Sequence, residues 1–511
     1  MTAEHTEDLE RVADSLRSLR DRMIESARLR SGMISGAGWD ANSASVRNLL
    51  HYIALRETDL RPLQKRLVSN GISSLGRCEP WVLGSVTAAL RASEALLGRD
   101  RGSGCASGEA VLSLSEGRAL LDRRTDALFG CKPADRAVRI MVTMPDAAAE
   151  DAGFIAGCVR AGMDALRINT AAGNPETWNA MVTNLHAAEA AEGRRCRVFA
   201  DLAGPKIRVT RIERKGKPRD RVRLTTGDPI RIVFDTEAAR TEAIDERAAR
   251  LYAEPRAIGA ALEAGHPVWF DDGKVDARVE SVGAGVAEAV VTFAKPGGQR
   301  LRVGKGMNLP ETGFVAPALT DADRDAMRAL WGGADSFSLS FVRTPGDIAD
   351  FFDAARALQA ELGGDLPGLV VKIETREGFE RLPELLLELL GWEVGGVMLA
   401  RGDLAVECGF ERMAEIQEEL LGFCEAAHTP VIWATEVLST LAKRGRPTRA
   451  EITDAAMAQR AECVMLNKGP EVLSALAMLA DILKRMQNHQ RKKMAVFRPL
   501  SIALLPEGAG A

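Results

Sequence analysis

Two short stretches of this sequence carry charged residues at a spacing that suits chemistry. Lys372 and Glu374 end one apolar run, and Arg401 and Asp403 end the next. On a β-strand, residues i and i+2 share a face, so each pair would point both side chains the same way. A leucine-rich segment of helical period separates the runs, which predicts a strand–helix–strand unit. Two parallel strands would then bring a lysine, an arginine and two carboxylates to one carboxyl-terminal edge, where α/β barrels and open α/β sheets place their active sites.

The composition excludes several classes of protein. The 511 residues are 46% hydrophobic and 27% charged, with a formal net charge of −4, and this balance disfavours binding to nucleic acid. We expect no membrane segment, because no apolar run approaches the ~20 residues that a spanning helix needs. The acidic start lacks a secretory signal, so the sequence predicts a cytoplasmic protein. Eight cysteines without a CxxC motif argue against a zinc site or a disulfide framework.

The hydrophobic pattern predicts an N-terminal α-helical domain over residues 1–130, followed by eight strand-plus-helix units. Eight parallel strands are the number that closes a TIM (β/α)8 barrel, here over residues 136–208 and 304–490. Between these segments, residues 209–303 alternate in short strands and turns, which predicts an inserted small β-barrel lid domain above the barrel mouth. Residues 491–511 are expected to form a tail. The predicted strands are Val138–Met144, Ala165–Asn169, Arg197–Leu202, Ser336–Val342, Leu369–Glu374, Gly396–Asp403, Pro430–Glu436 and Cys463–Lys468.

Polar residues follow six consecutive predicted strands. A single charged strand end is usually a solvated terminus or a helix cap, but six in succession favour a site. Arginines and lysines around carboxylates suit a phosphorylated acidic substrate held with Mg²⁺, for which Glu374 and Asp403 would suffice as protein ligands. None of the six histidines falls near these ends, which disfavours histidine or Zn²⁺ chemistry. The residues at the six ends are Arg167 and Asn169; Asp201 with Lys206 and Arg208; Ser340; Lys372 and Glu374; Arg401 and Asp403; and Thr435 with Glu436.

Several separated motifs resemble the catalytic portion of pyruvate kinase. They are GMDALRIN (162–169), DLAGPKIR (201–208), FDDG (270–273), KGMNLP (305–310), SFVR (340–343), VKIET (371–375), LARGDLAVE (399–407), and PVIWATEVL through RGRPTRAEITD (430–454). The resemblance covers the barrel and the lid, from residue 138 to about 480. It implies transfer of phosphoryl from phosphoenolpyruvate to ADP, giving ATP and pyruvate, with Mg²⁺ or Mn²⁺ as the cofactor.

The resemblance also assigns roles to individual residues. Glu374 and Asp403 would hold the divalent metal, and Lys372 would stabilise the transferring phosphoryl group and the nascent enolate. Thr435 matches a threonine near the enolate carbon that is implicated in its protonation. The other matched positions imply contacts with substrate or nucleotide: Arg167, Asn169, Asp201, Arg208, Lys305, Ser340, Arg401 and Gly402.

The sequence departs from the family pattern at several positions. Many members have serine, threonine and glutamate where this chain has Ala171, Leu202 and Lys206, a set associated with bound potassium. We predict that Lys206 replaces the potassium charge, so that K⁺ is not required. Asn467-Lys468-Gly469-Pro470 replaces the family's serine-glycine-glutamate-threonine motif. The N-terminal helical domain is not part of the common pattern, and we expect no carboxyl-terminal effector domain.

Two other hypotheses stay open. One is a metal-dependent lyase or aldolase that stabilises a pyruvate enolate, which the lid and the additional cations disfavour. The other is a non-catalytic regulatory protein that retains the barrel, which the intact set of Lys372, Glu374, Asp403 and Thr435 disfavours. The sequence is compatible with a homo-oligomer, and it leaves the role of residues 1–130 open.

Overall fold

The computed structural model describes residues 3–31, 43–99, 111–237, 247–254, 258–259, 261–271, 273–283, 285–309, 312 and 316–495. Asp272 of the FDDG motif and most of the expected tail, from residue 496 onward, lie outside these ranges. None of the helices within them is long and apolar enough to cross a membrane.

The N-terminal segment is helical, as predicted. Leu9, Val12, Leu16 and Leu19 recur every three or four residues along its first helix and are all buried. This apolar stripe packs against the second and fourth helices, because burying it is the main source of stability for an amphipathic helix. The helices are α1 (Ala3–Ser31), α2 (Ser43–Arg56), α3 (Arg61–Ser69), α4 (Val82–Leu96) and α5 (Leu114–Phe129).

Eight parallel strands then close a barrel, so the predicted (β/α)8 fold is confirmed. Numbered along the whole chain, they are β1 (Arg139–Thr143), β2 (Ala165–Asn169), β3 (Arg197–Asp201), β14 (Ser336–Leu339), β15 (Gly368–Ile373), β16 (Gly395–Ala400), β17 (Val431–Ala434) and β18 (Cys463–Leu466). Their order around the barrel is β1-β18-β17-β16-β15-β14-β3-β2. Nearly every strand residue is buried, as expected where helices cover a parallel sheet.

Helices surround the barrel and complete the fold. They are α6 (Ala152–Arg160), α7 (Pro175–Glu192), α8 (Asp321–Ala329), α9 (Pro345–Leu362), α10 (Arg376–Glu380), α11 (Leu382–Leu389), α12 (Arg401–Cys408), α13 (Met413–Ala426), α14 (Ser439–Arg444), α15 (Arg449–Met457) and α16 (Val472–Met486). A hairpin, β19 (Gln490–Arg491) and β20 (Met494–Ala495), follows α16.

Helix α5 closes the base of the barrel. Leu128 and Phe129 at its carboxyl end are buried among side chains inside the barrel, and the Phe129 ring stacks on Phe199 with centroids 5.5 Å apart. Gly396 makes room for this plug, since a Cβ there would lie 2.5 Å from Cδ2 of Leu128. The N-terminal helices also share one apolar core with the outer layer of the barrel.

The insertion after β3 forms a separate β structure. Eight of its strands make one sheet in the order β13-β9-β10-β11-β7-β8-β4-β5, and β12 pairs with β6. Its apolar side chains form their own core, which explains the alternation of buried and outward-facing residues along its strands. The strands are β4 (Arg208–Arg214), β5 (Lys217–Arg219), β6 (Arg221–Leu224), β7 (Pro229–Val233), β8 (Ala249–Glu254), β9 (Pro267–Phe270), β10 (Val275–Val282), β11 (Val286–Ala294), β12 (Gln299–Arg302) and β13 (Met307–Asn308).

Candidate active site

Lys372, on β15, lies at the centre of a charged cluster at the barrel mouth. Its side chain is 8% exposed, and Nζ lies 3.1 Å from Oδ2 of Asp201, 2.8 Å from Oγ of Ser340 and 3.1 Å from Oε1 of Glu374. Three adjacent strands, β3, β14 and β15, supply these groups. Burial would lower the pKa of Lys372, but the carboxylates of Asp201 and Glu374 outweigh burial and raise it. The amine therefore stays charged although it is buried.

Arg167, on β2, extends the cluster. Its guanidinium pairs with Asp201 and donates to Oγ1 of Thr143 at 3.0 Å, a partner that the sequence analysis missed. Burial would raise the pKa of Asp201, but Arg167 and Lys372 together lower it, so this carboxylate is ionised. Oδ1 of Asp201 and Nε of Arg167 are buried and have no hydrogen-bond partner among the described residues. Buried polar atoms rarely stay unpaired, so these two atoms are candidates for contact with a ligand or water.

Glu374 and Asp403 are the two predicted metal ligands. Oε2 of Glu374 accepts a hydrogen bond from the N–H of Phe341 at 2.8 Å, which fixes the carboxylate. Burial raises the pKa of Glu374; Lys372 opposes this shift and the nearby charge of Asp403 adds to it. Two interacting carboxylates suit a hard cation such as Mg²⁺, which completes its shell with water and substrate oxygens. Within the described residues no group of three or more His, Cys, Asp or Glu could hold a metal, so these outside oxygens would be needed.

Lys206 reaches one of these carboxylates. Its Nζ lies 2.7 Å from Oδ1 of Asp403, and both side chains are 17% exposed. The lysine chain passes close to Gly306, where a Cβ would lie 2.6 Å from Cε of Lys206. A fixed ammonium therefore stands beside a predicted metal ligand.

Arg401 lies apart from this cluster, and the prediction that it shares a strand face with Asp403 is wrong. Strand β16 ends one residue earlier, and Arg401 begins helix α12. On a helix, residues two apart are rotated by about 200°, so the two side chains diverge. The Arg401 guanidinium pairs with Asp454, donates to the carbonyl of Thr435 at 2.5 Å and lies 4.6 Å from the centroid of the Trp433 ring. These contacts connect α12 to β17 and α15.

Thr435 follows β17 in an unusual conformation. Its φ of 65° and the 58° of Glu436 lie in the left-handed region, which β-branched residues such as threonine rarely adopt. Oγ1 of Thr435 accepts a hydrogen bond from the N–H of Gly402 at 2.8 Å. The hydroxyl is thus held at the first turn of α12, the helix that also carries Asp403.

The other predicted residues lie around the rim. Asn169 ends β2, and its Oδ1 accepts a hydrogen bond from Ala171. Arg208 begins β4 and donates to the carbonyl of Gly304 at 3.2 Å, whereas Lys305 lies 2.8 Å from Oδ1 of Asp271. Arg208 and Lys305 are therefore held by residues of the insertion rather than by the Lys372 cluster. Asp271 belongs to the FDDG motif (270–273), but the sequence analysis did not identify it as a site residue.

The fold and this cluster define a (β/α)8 barrel protein with a candidate active site at the carboxyl ends of its strands. A family model, pyruvate kinase barrel domain, matches residues 135–470, so the chain belongs to the pyruvate kinase family. The family predicted from the motifs is confirmed.

Relatives from yeast, human and bacterium carry the same family name. The pyruvate kinase of Debaryomyces hansenii is 30% identical over 63% of this chain and 61% of its own length. Pyruvate kinase PKLR of Homo sapiens is 32% identical over 60% of this chain and 52% of its own, and the pyruvate kinase of Agrobacterium vitis is 30% identical over 73% of each. The chain thus spans about three fifths of the first of these relatives.

Proposed function

We propose that this protein transfers the phosphoryl group of phosphoenolpyruvate to ADP, forming ATP and pyruvate, with Mg²⁺ or Mn²⁺ as cofactor. The observation that carries the proposal is the buried, charged Lys372 amine among Asp201, Ser340 and Glu374. A cation in a buried site stabilises developing negative charge much better than one in water. Both the transferring phosphoryl group and the enolate left behind carry such charge.

The residues of the mouth divide the work of this reaction. Glu374 and Asp403 would hold the divalent metal, which when bound neutralises charge on the phosphoryl oxygens. Arg167 would bind phosphate. Lys372 would stabilise the enolate as the bond between the enolate oxygen and phosphorus breaks and phosphorus bonds to an oxygen of the terminal phosphate of ADP. The hydroxyl of Thr435 would take part in protonating the enolate carbon. Phosphoryl transfer depends on such positioning and electrostatics more than on covalent chemistry.

The insertion would act as a lid over this site. Arg208 stands where the chain passes from the barrel into the insertion, and Lys305 stands where it returns. Both are cations that contact the insertion and could reach a nucleotide when it closes. Closure would exclude water and suppress hydrolysis of the phosphoryl donor.

We further propose that the reaction does not need K⁺. The support is the ammonium of Lys206, 2.7 Å from Asp403, at a position where many members carry glutamate. A tethered positive charge is always present there, so an inorganic monovalent cation would add little.

The test is pyruvate formation from phosphoenolpyruvate, with and without ADP, in sodium-only buffer containing Mg²⁺. Pyruvate that requires ADP and Mg²⁺ and forms without K⁺ is the expected result. Pyruvate formed at the same rate without ADP would mean that water rather than ADP accepts the phosphoryl group, and this would contradict the kinase proposal. A protein that binds both substrates and makes no pyruvate would be a regulatory member that has kept the barrel.

A further inference from the structure

A cavity of about 400 Å³ lies at the base of the barrel, at the end opposite the mouth. Its walls combine the N-terminal helical segment, the amino ends of β1 and β18, and the β19–β20 hairpin. None of the residues contacting Lys372 is among the described residues that line it. The cavity is therefore separate from the candidate active site, and its size is that of a small-molecule site.

The lining of this cavity carries more positive than negative charge. Seven lysines and arginines line it, against four carboxylates. Three of the cations form ion pairs with three of the carboxylates. Lys493 lies 3.1 Å from Glu79, Arg491 lies 3.3 Å from Asp122, and Lys492 pairs with Glu462. The pairing leaves an excess of cationic groups facing the cavity.

Arg118 contributes to this excess. Its guanidinium donates to Sδ of Met494 at 3.5 Å, and a thioether is a weak acceptor. Burial lowers the pKa of Arg118 and the charge of Arg491 lowers it further, more than Glu425 and Asp122 raise it. The guanidinium groups of Arg118 and Arg491 line one cavity, and their forked geometry matches phosphate oxygens. The Arg491–Asp122 pair, at 3.3 Å, is exposed and therefore weak, so a phosphate can replace Asp122 as the partner of Arg491.

Gln459 and Glu425 are two further polar residues that line the same cavity. Oε1 of Gln459 is buried without a hydrogen-bond partner among the described residues, and the whole residue is only 6% exposed. Burial raises the pKa of the Glu425 carboxyl to about 7, even though Lys492 and Lys493 lie close enough to oppose the shift. An unpaired acceptor such as Oε1 of Gln459 is satisfied by a hydroxyl or amino group, which a sugar or a nucleoside supplies more readily than inorganic phosphate does.

We propose that the cavity binds a small phosphate ester that carries hydroxyl groups, with its phosphate at Arg118 and Arg491 and a hydroxyl donating to Gln459. A phosphorylated polyol and a nucleoside monophosphate share this chemistry. The site does not depend on the activity proposed for the barrel mouth, because no residue of the Lys372 cluster takes part in it.

Calorimetric titration of the full chain tests the proposal with three probes: glucose 6-phosphate, AMP and inorganic phosphate. We expect at least one ester to bind, and to bind tighter than inorganic phosphate. The double variant Arg118→Gln/Arg491→Gln should weaken ester binding by tenfold or more, as expected when two charged hydrogen-bond donors are lost. The control Arg123→Gln removes an exposed arginine from the same helix α5 and should leave binding unchanged.

Two further variants keep the test decisive. Lys372→Met should retain ester binding, because the mouth is not involved. Gln459→Leu should reduce ester affinity toward that of inorganic phosphate, and it carries the test if the arginine variant unfolds. The proposal is overturned if none of the three probes binds the wild type, or if Lys372→Met abolishes binding while Arg118→Gln/Arg491→Gln keeps it.

Discussion

Two pairs of charged residues with the same spacing take different roles in this fold. Lys372 and Glu374 straddle the end of a strand and remain together at the mouth, 3.1 Å apart. Arg401 and Asp403 fall in the first turn of a helix, so Asp403 meets Lys206 and Arg401 turns away to Asp454. The spacing alone does not decide which residues meet, because the outcome depends on where the strand ends.

The largest effect should come from the pair that stays together. Lys372→Met removes the buried cation, and we expect kcat for pyruvate formation to fall on the order of 10²–10⁴-fold, the range typical of losing one electrostatic stabiliser of the transition state. A coupled assay at saturating substrates measures this. An activity near that of the wild type would remove Lys372 from the role assigned to it.

Asp403→Asn tests the member of the second pair that reaches the mouth. Losing one of two carboxylates should weaken Mg²⁺ binding by at least roughly 10–100-fold, the loss typical even for groups that only support a metal ligand. A Mg²⁺ titration of activity, together with direct calorimetry, gives the affinity. The matched control is Asp454→Asn, which removes the carboxylate bound to Arg401 and should leave the Mg²⁺ affinity unchanged.

Lys206→Glu asks whether the ammonium beside Asp403 replaces a monovalent cation. Placing a third carboxylate near Glu374 and Asp403 creates repulsion that a bound K⁺ would relieve. We expect activity in sodium-only buffer to fall on the order of tenfold, equivalent to about 1.4 kcal/mol, and to recover in potassium. Lys206→Gln is the control, since it removes the ammonium without adding a carboxylate and should respond less to K⁺. The proposal would be contradicted if potassium raised the activity of Lys206→Glu and Lys206→Gln equally, or if it raised the activity of the wild type as much as that of Lys206→Glu.

The fold could be predicted from the sequence, and the strand ends could not. All eight barrel strands were located because strands buried on both faces are almost continuously apolar. Ala165–Asn169 was predicted with its observed bounds, but the other seven predicted spans ran too far at their carboxyl ends. An example is Pro430–Glu436 against the observed Val431–Ala434, where Thr435 and Glu436 take left-handed conformations that the hydrophobic pattern does not reveal. The placement of Arg401 failed for the same reason.

No local pattern in the sequence predicts the cavity at the base of the barrel. Arg118 and Met494, which contact each other there, are 376 positions apart in the chain. The Gln459 oxygen has no hydrogen-bond partner among the described residues and belongs to a cavity lined by distant parts of the chain, so no motif marks it. In contrast, Lys372 and Glu374 belong to one motif, and local geometry was enough to bring them together.

The smallest effect on catalysis should come from Arg401, the residue that the shared spacing misplaced. Arg401→Lys keeps the charge but loses the two-pronged pair with Asp454 and weakens the cation–π contact with the Trp433 ring. We therefore expect the free energy of unfolding to fall by about 1–2 kcal/mol while kcat changes less than tenfold. Denaturant unfolding measures the first quantity and the coupled assay the second. Because the two partners share one interaction, combining Arg401→Lys with Asp454→Asn should cost less than the sum of the single changes. A drop in kcat comparable to that of Lys372→Met, without loss of stability, would instead place Arg401 among the substrate-binding groups and make the two charged pairs equivalent after all.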